Sequence, residues 1–156
     1  MPSPDADALI SRAEALATRA HAGQVDKAGT AYIEHPRAVA RIVQRDHPGQ
    51  AAAIAIAWLH DVVEDTDVEL DTIRADFGDE IANGVDAMTR RDDEEPDDYY
   101  ARVAANRLAL AVKRADIENN TDPARTALLE SATRARLAAK YEHAIAVLSQ
   151  RDKLPR

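Results

Sequence analysis

The stretch AWLHDVVEDT, residues 57–66, places four ionisable side chains directly behind an apolar run. On a helix, residues four apart share one face, so Glu64 lies one turn after His60 and Asp65 one turn after Asp61. Charges at the edge of an apolar core are costly unless they are paired or bind a metal. An imidazole and carboxylates suit a divalent cation. Because the chain has no cysteine, a thiolate is excluded from the ligands.

Two residues of one helix rarely complete a metal site, and two other segments supply further candidates. His35 precedes Pro36 at a predicted helix start, and Asp116 follows an apolar stretch in VKRADIENN, so it is expected to point partly inward. With His60 and Asp61, these residues provide two nitrogens and two oxygens, and coordination positions remain for water and a phosphate oxygen. The alternatives to metal binding are that His35 caps a helix and that the carboxylate of Asp116 pairs with a nearby arginine.

The elements that carry these residues are all predicted to be helical. The 156-residue chain is rich in alanine and only 4% aromatic, which favours closely packed helices over strands. The first predicted helix ends before Gly23, and the second begins at His35. Further helices are predicted over about residues 49–65, 69–77, 79–90, 98–120 and 124–150. We therefore expect an all-α fold: a compact single-domain bundle of six to eight helices over residues 1–156, with a core of about 4–150 and no convincing strand.

Charge and hydropathy narrow the classes of partner. The formal net charge of -8 argues against general binding to nucleic acid, which needs a basic surface. A small phosphorylated ligand is still compatible, because local charge can oppose the global sign. The sequence has no run of 18 apolar residues and no signal-peptide pattern. These features predict a cytoplasmic protein without a membrane partner, and they leave a homodimer open.

Three segments in order carry a resemblance to a known family: AHAGQ…G…Y…HP, then WLHDVVEDT, then VKRADIENN. Together they resemble the HD-domain phosphohydrolases, and more closely the hydrolase domain of the RelA/SpoT family and its stand-alone small alarmone hydrolases. The resemblance runs from about residue 8 to about 149. The given sequence is too short for the synthetase domain of the bifunctional relatives, which favours a stand-alone hydrolase.

The resemblance implies an all-α fold and a manganese ion, or another divalent metal, held by the same four residues. It implies that Glu64 and Asp65 handle protons and orient the attacking water, and that Lys113 and Asn120 contact the nucleotide. Lys27 matches a further basic position. In the family, the reaction removes the 3′-pyrophosphate of guanosine tetra- or pentaphosphate and releases pyrophosphate with GDP or GTP.

The chain departs from the family pattern at Asp26 in GQVDKAG, where many members have an arginine that packs on the guanine ring. Arg125 is a nearby candidate phosphate contact. Two alternatives accompany the alarmone hypothesis: an HD-type hydrolase of another phosphorylated nucleotide, and a regulatory module that binds a nucleotide without hydrolysing it. A third is a helical scaffold whose polar cluster is only an ion-pair network. His21 is expected to shape the site without binding metal, and Trp58 to lie in the core.

Overall fold

Ten helices make up the computed structural model of the protein, which describes residues 4–152. The helices are α1 (Pro4–Ala20), α2 (Glu34–Asp46), α3 (Ala51–Leu59), α4 (Val62–Asp65), α5 (Leu70–Phe77), α6 (Asp79–Met88), α7 (Pro96–Ala104), α8 (Arg107–Asn120), α9 (Pro123–Thr126) and α10 (Ser131–Asp152). Eight of the ten have eight residues or more, and α4 and α9 have four each. The described residues contain no strand, so the all-α prediction is confirmed; the predicted domain limits, 1 and 156, lie outside them.

The centre of the bundle is α3, whose sequence AAAIAIAWL is apolar on every side. Its residues from Ala53 to Leu59 are all buried, and α3 packs against α1, α2, α6 and α8. Alanine side chains let the neighbouring backbones approach closely, so a short helix contacts four others. Trp58 is 6% exposed and belongs to the core, as predicted. None of the helices within residues 4–152 is long and apolar enough to cross a membrane.

A glycine sets the distance between α3 and α6. A Cβ atom on Gly84 would lie 2.3 Å from Cδ1 of Ile56, which is fully buried. Position 84 therefore has no room for a side chain while Ile56 keeps its conformation. Because His60 directly follows α3, this contact helps to fix the place of a predicted site residue.

The prediction of one helix over 49–65 was wrong, because a turn at residues 60–61 divides α3 from α4. Nδ1 of His60 lies 2.6 Å from the carbonyl oxygen of Ala57, three residues earlier. Asp61 has φ −105° and ψ 0°, and its carbonyl accepts a hydrogen bond from the backbone of Asp65. Both residues keep backbone angles of the right-handed helical region, so the break is slight and α4 continues the chain directly after α3.

Two other predicted helices are also divided. The helix expected over 98–120 breaks before Asn106, whose side chain accepts a hydrogen bond from the backbone of Ala109 and caps α8. The helix expected over 124–150 is interrupted at residues 127–130, and Asp122 caps the short α9 through Ala124. Asparagine and aspartate favour such N-cap positions because their side chains accept from free backbone amides.

Candidate active site

Four side chains from three separate segments meet inside the bundle: His35 from α2, His60 and Asp61 from the turn after α3, and Asp116 from α8. Nε2 of His35 lies 2.8 Å from Oδ1 of Asp116, and Nε2 of His60 lies 3.0 Å from Oδ2 of Asp61. His60 is also 3.6 Å from Asp116, and the two imidazole centroids are 5.3 Å apart. The structure therefore brings together all four residues predicted as ligands. We call them the His–Asp cluster.

The hydrogen bonding of His60 suits a metal ligand. A carbonyl oxygen can only accept, so Nδ1 of His60 carries a proton and donates it to Ala57. Nε2 then presents its lone pair to two carboxylates, and it has no hydrogen-bond partner among the described residues. Such an arrangement is repulsive unless a cation lies between the groups. Two nitrogens and two oxygens form a donor set that fits a divalent metal.

A proton competes with a metal for the same atom of His60. Burial lowers the pKa of His60, but the charges of Asp61 and Asp116 outweigh burial and hold the pKa above its usual value. Without a bound cation, Nε2 of His60 therefore tends to take up a proton. Metal binding must release that proton, so the affinity of the cluster for a metal should rise with pH.

Helix α8 surrounds Asp116 with donors at helical spacing. Lys113, one turn earlier, donates to Oδ2 of Asp116 over 3.0 Å, and Asn120, one turn later, donates to Oδ1 over 3.1 Å. Burial raises the pKa of Asp116, but the charge of Lys113 and the hydrogen bond from His35 hold it well below its usual value. Lys113 and Asn120, predicted as substrate contacts, therefore also fix the carboxylate of Asp116.

Asn119 is a site residue that the sequence reasoning missed. Its Oδ1 lies 2.7 Å from Nδ1 of His35 and 2.6 Å from Nη1 of Arg125. Nη1 of Arg125 also lies 2.6 Å from Nδ1 of His35. In the tautomer whose Nδ1 proton is donated to Asn119, Nε2 of His35 is free for a metal instead of donating to Asp116, and such partners commonly orient metal-binding histidines. The spacing of three residues from Asp116 was the available signal, since it places both side chains on one face of α8.

Tyr32 is a second residue whose role the sequence reasoning missed. Its hydroxyl donates to Oδ2 of Asp61 over 2.5 Å. Burial raises the pKa of Tyr32 strongly, and the charge of Asp61 raises it further, so the hydroxyl stays protonated and remains a donor. Tyr32 lies in the quoted motif before His35, but the pattern gave no indication that it reaches Asp61 from 29 residues away.

The predicted catalytic pair, Glu64 and Asp65, lies on α4 at the edge of the His–Asp cluster. Carboxylate oxygens of Asp61, Glu64 and Asp65 lie within 4.8 Å of one another. Oε1 of Glu64 accepts a hydrogen bond of 2.8 Å from the backbone of Arg90. Partial burial, together with the charge of Asp61, raises the pKa of both Glu64 and Asp65. A raised pKa makes each carboxylate a stronger proton acceptor.

His21 is buried, with 2% of its surface exposed, and lies apart from the His–Asp cluster. Its Nδ1 is 2.9 Å from Oε1 of Gln24, whose amide donates to the backbone carbonyl of Asp65. The ring of His21 also packs on Tyr32, with centroids 4.9 Å apart. His21 is thus a buried, hydrogen-bonded residue that supports two site segments, as the sequence indicated.

Two cavities open beside the His–Asp cluster. The larger, of about 540 Å³, is lined by His60, Asp61, Glu64, Asp116 and Lys113 among others. The smaller, of about 330 Å³, has a mixed lining that includes Lys27, Asn120, Arg125, Leu129, Leu137 and Tyr141. The three predicted substrate contacts therefore line these cavities, with Lys113 in the larger and the other two in the smaller.

Asp26 faces the smaller cavity but uses its carboxylate locally. Oδ1 of Asp26 accepts from the backbone amides of Ala28 and Thr30, at 2.9 and 3.0 Å. Oδ2 lies 3.7 Å from Nη2 of Arg125, which lines the same cavity from α9. This cavity therefore contains a guanidinium group, but it comes from α9 rather than from the position after GQV.

A helical bundle with two histidines and two aspartates gathered at its centre defines an HD-type domain. A model of the HD domain family matches residues 13–101, more than half of the chain. The chain therefore belongs to the HD domain family, and the resemblance noted in its sequence is confirmed.

Several named proteins are similar in sequence to about half of the chain. A protein of Synechocystis sp. named probable guanosine-3′,5′-bis(diphosphate) 3′-pyrophosphohydrolase is 49% identical over 82 residues, which are 53% of this chain and 11% of that protein. The Haemophilus influenzae protein named guanosine-3′,5′-bis(diphosphate) 3′-pyrophosphohydrolase is 40% identical over 77 residues, 49% of this chain and 11% of its own. A Mycobacterium leprae protein named probable GTP pyrophosphokinase is 39% identical over 84 residues, 54% of this chain and 10% of its own. The matching segments thus span about a tenth of these relatives.

The fold resembles a solved structure over nearly its whole length. The match has a TM-score of 0.79 and 21% identity, and it covers 95% of this chain and 87% of the other. That protein is described by the words "A metazoan ortholog of SpoT hydrolyzes ppGpp and plays a role in starvation responses". The likeness confirms the helical HD-domain fold beyond the segment that the family model matches.

Proposed function

We propose that this chain is a metal-dependent pyrophosphohydrolase that cleaves the 3′-pyrophosphate from guanosine 3′,5′-bis(diphosphate), giving GDP and pyrophosphate. The observation that carries the proposal is the meeting of the His–Asp cluster with the Glu64–Asp65 pair beside an open cavity. Nucleotide binding alone does not require two acids with raised pKa values next to a metal site, whereas proton transfer during hydrolysis does. The names of the relatives support the choice of substrate.

His35, His60, Asp61 and Asp116 would hold the metal, which we propose to be Mn²⁺. A divalent ion held there would lower the pKa of water and withdraw charge from the phosphorus. The residues around it then have separate tasks. His60 keeps Nε2 available because its Nδ1 proton is bound by the carbonyl of Ala57.

Glu64 is proposed as the general base. Its carboxylate faces the larger cavity, and the backbone amide of Arg90 fixes one of its oxygens, so the other is available to accept a proton from water. Asp65 is proposed to orient that water, since its carboxylate adjoins those of Asp61 and Glu64. Both roles require the ionised form, which the raised pKa values make dependent on pH.

Lys27, Lys113 and Asn120 are proposed as substrate contacts. Lys113 lies in the larger cavity with the catalytic pair, whereas Lys27 and Asn120 lie in the smaller one. This division suits a substrate with two separate groups, a phosphate end near the His–Asp cluster and a nucleoside end among Leu129, Leu137 and Tyr141.

A hydrolase of another phosphorylated nucleotide is the second candidate, and Asp26 favours it. Its carboxylate, held by two backbone amides, occupies the smaller cavity at the position where the family pattern has arginine. A panel of phosphorylated nucleotides, incubated with the manganese-loaded protein and analysed by mass spectrometry of the products, distinguishes the two candidates. Absence of pyrophosphate release from guanosine tetraphosphate would reject the alarmone proposal.

The catalytic pair is tested by the double variant Glu64→Gln/Asp65→Asn. We expect kcat to fall by about 10²–10⁴-fold, the usual contribution of a positioned acid or base. The matched control is Asp67→Asn/Glu69→Gln, which removes two exposed acids just beyond α4 and should retain the wild-type rate. An unchanged rate in the first variant would contradict the catalytic role of the pair, whereas nucleotide binding without any turnover by the wild type would favour the nucleotide-binding module.

Metal binding is tested separately by thermal unfolding of metal-free protein with and without Mn²⁺. A ligand that binds only the folded state raises the midpoint, whereas an ion-pair scaffold would gain no stability. A cytoplasmic location and a homodimer stay predictions from the sequence.

A further inference from the structure

Lys140, on α10, is a cationic residue that is not among the predicted site residues. It lines both the smaller and the larger cavity and so lies where the two meet. Nζ of Lys140 lies 5.2 Å from the ring centroid of the neighbouring Tyr141. Within residues 4–152, Lys140 makes no ion pair with a carboxylate, although the protein as a whole is acidic.

The two cavities that Lys140 lines also contain four other cations, Lys27, Arg90, Lys113 and Arg125, together with four carboxylates. Burial and the charges of Lys113, Lys27 and Arg90 lower the pKa of Lys140, although Asp116 raises it. Lys113 already has Asp116 as its counter-ion, whereas Lys140 has none of its own among the described residues. A lysine that lacks a counter-ion and opens to two cavities gains from an added anion, because the anion pairs with its charge.

Resting on the proposed function, we propose that Lys140 binds the 5′-diphosphate of the nucleotide at the junction of the two cavities. The nucleoside then occupies the smaller cavity, and the phosphate end that is cleaved lies beside the His–Asp cluster in the larger one. Lys140 neutralises phosphate charge at the crossing between them. This assignment adds a charged contact from α10, a helix that lies outside the segment matched by the HD domain family model and already supplies Leu137 and Tyr141 to the smaller cavity.

The test compares the binding of GDP and of guanosine to the manganese-loaded protein by calorimetry. Lys140→Met, which keeps an extended side chain without the charge, should weaken GDP binding about tenfold and leave guanosine unchanged, as expected for loss of a charge-assisted hydrogen bond. Lys140→Arg should stay within about threefold of wild type. The matched control is Arg134→Met, because Arg134 is exposed on the same helix, donates to Ser131 and lines neither cavity.

Steady-state kinetics give a second readout. With guanosine tetraphosphate, Lys140→Met should raise KM about tenfold while kcat changes less than about threefold. Wild-type affinity for GDP in Lys140→Met, an equal loss of guanosine and GDP binding, or no binding of GDP to the wild type would each overturn the assignment. If the wild type releases no pyrophosphate but GDP affinity still depends on Lys140, the alarmone proposal fails and the phosphate contact stands.

Discussion

Replacing Gly84 by alanine tests whether the distance between α3 and α6 is as tight as the structure indicates. A new Cβ would lie 2.3 Å from Cδ1 and 3.1 Å from Cγ1 of Ile56, closer than carbon atoms normally approach. Ile56 is fully buried, so its terminal methyl group has little free space into which to move. Either Ile56 leaves its preferred rotamer or α6 moves away from α3.

The two opposing contributions can be compared. Alanine in place of glycine inside a helix stabilises by about 1 kcal/mol, whereas forcing an extra methyl group into a packed core costs about 1–3 kcal/mol. We expect Gly84→Ala to lower the free energy of unfolding by about 1 kcal/mol. Ile56→Val removes Cδ1, the atom of the closest contact, and by itself costs about 0.5–1.5 kcal/mol.

The double variant Gly84→Ala/Ile56→Val should be close to wild type in stability, because the new methyl group takes the space left by Cδ1. Urea denaturation of the four proteins gives the coupling energy, which we expect to be about 2 kcal/mol. Stabilisation by Gly84→Ala alone, or effects that add within about 0.5 kcal/mol, would refute the packing argument. Metal affinity measured on the same proteins reports whether a shift of α3 displaces His60.

Three further predictions concern the pH dependence of stability and the metal. Glu94 accepts hydrogen bonds of 2.6 and 2.7 Å from Arg102, whose guanidinium group lowers the pKa of Glu94 to about 2. Because the folded pKa lies below the ordinary value of 4.5, the stability from this pair is complete above pH 4.5 and is lost as the pH falls towards 2. Glu94→Gln should therefore destabilise by about 1–2 kcal/mol at pH 7, and a loss that persists undiminished at low pH would contradict the pairing. Asn119→Ala should weaken Mn²⁺ binding by about 10–100-fold in calorimetry, and an unchanged affinity would mean that Asn119 does not orient His35. The affinity of the wild type for Mn²⁺ should rise with pH because a proton leaves Nε2 of His60, and a pH-independent affinity would contradict the competition.

The helical class could be predicted from the sequence because its evidence is local. The apolar run AAAIAIAWL, the alanine content and the punctuation by glycine and proline depend only on neighbours along the chain. The helix boundaries were less predictable. The predicted helix over 98–120 is divided because the Asn106 side chain caps a new helix start, and a polar residue within a periodic pattern does not by itself distinguish capping from solvent exposure.

The candidate metal ligands could also be predicted from the sequence, because His60 and Asp61 adjoin a buried helix and their residue types restrict the chemistry. Asn119 and Lys140 were not identified. Asn119 gains its role from His35, 84 positions away, and Lys140 gains its role from two cavities formed by several helices.

The sequence by itself therefore determined the helical class, the residue types able to hold a divalent metal and the acid pair beside them. Those properties follow from local periodicity and from the chemistry of single side chains. Only the tertiary structure decided which atoms meet: that His60 lies beside Asp116, that Tyr32 reaches Asp61, and that a lysine on α10 lines two cavities. The physical reason is that such distances depend on how whole helices pack, and helix packing is fixed by contacts between residues far apart in the chain.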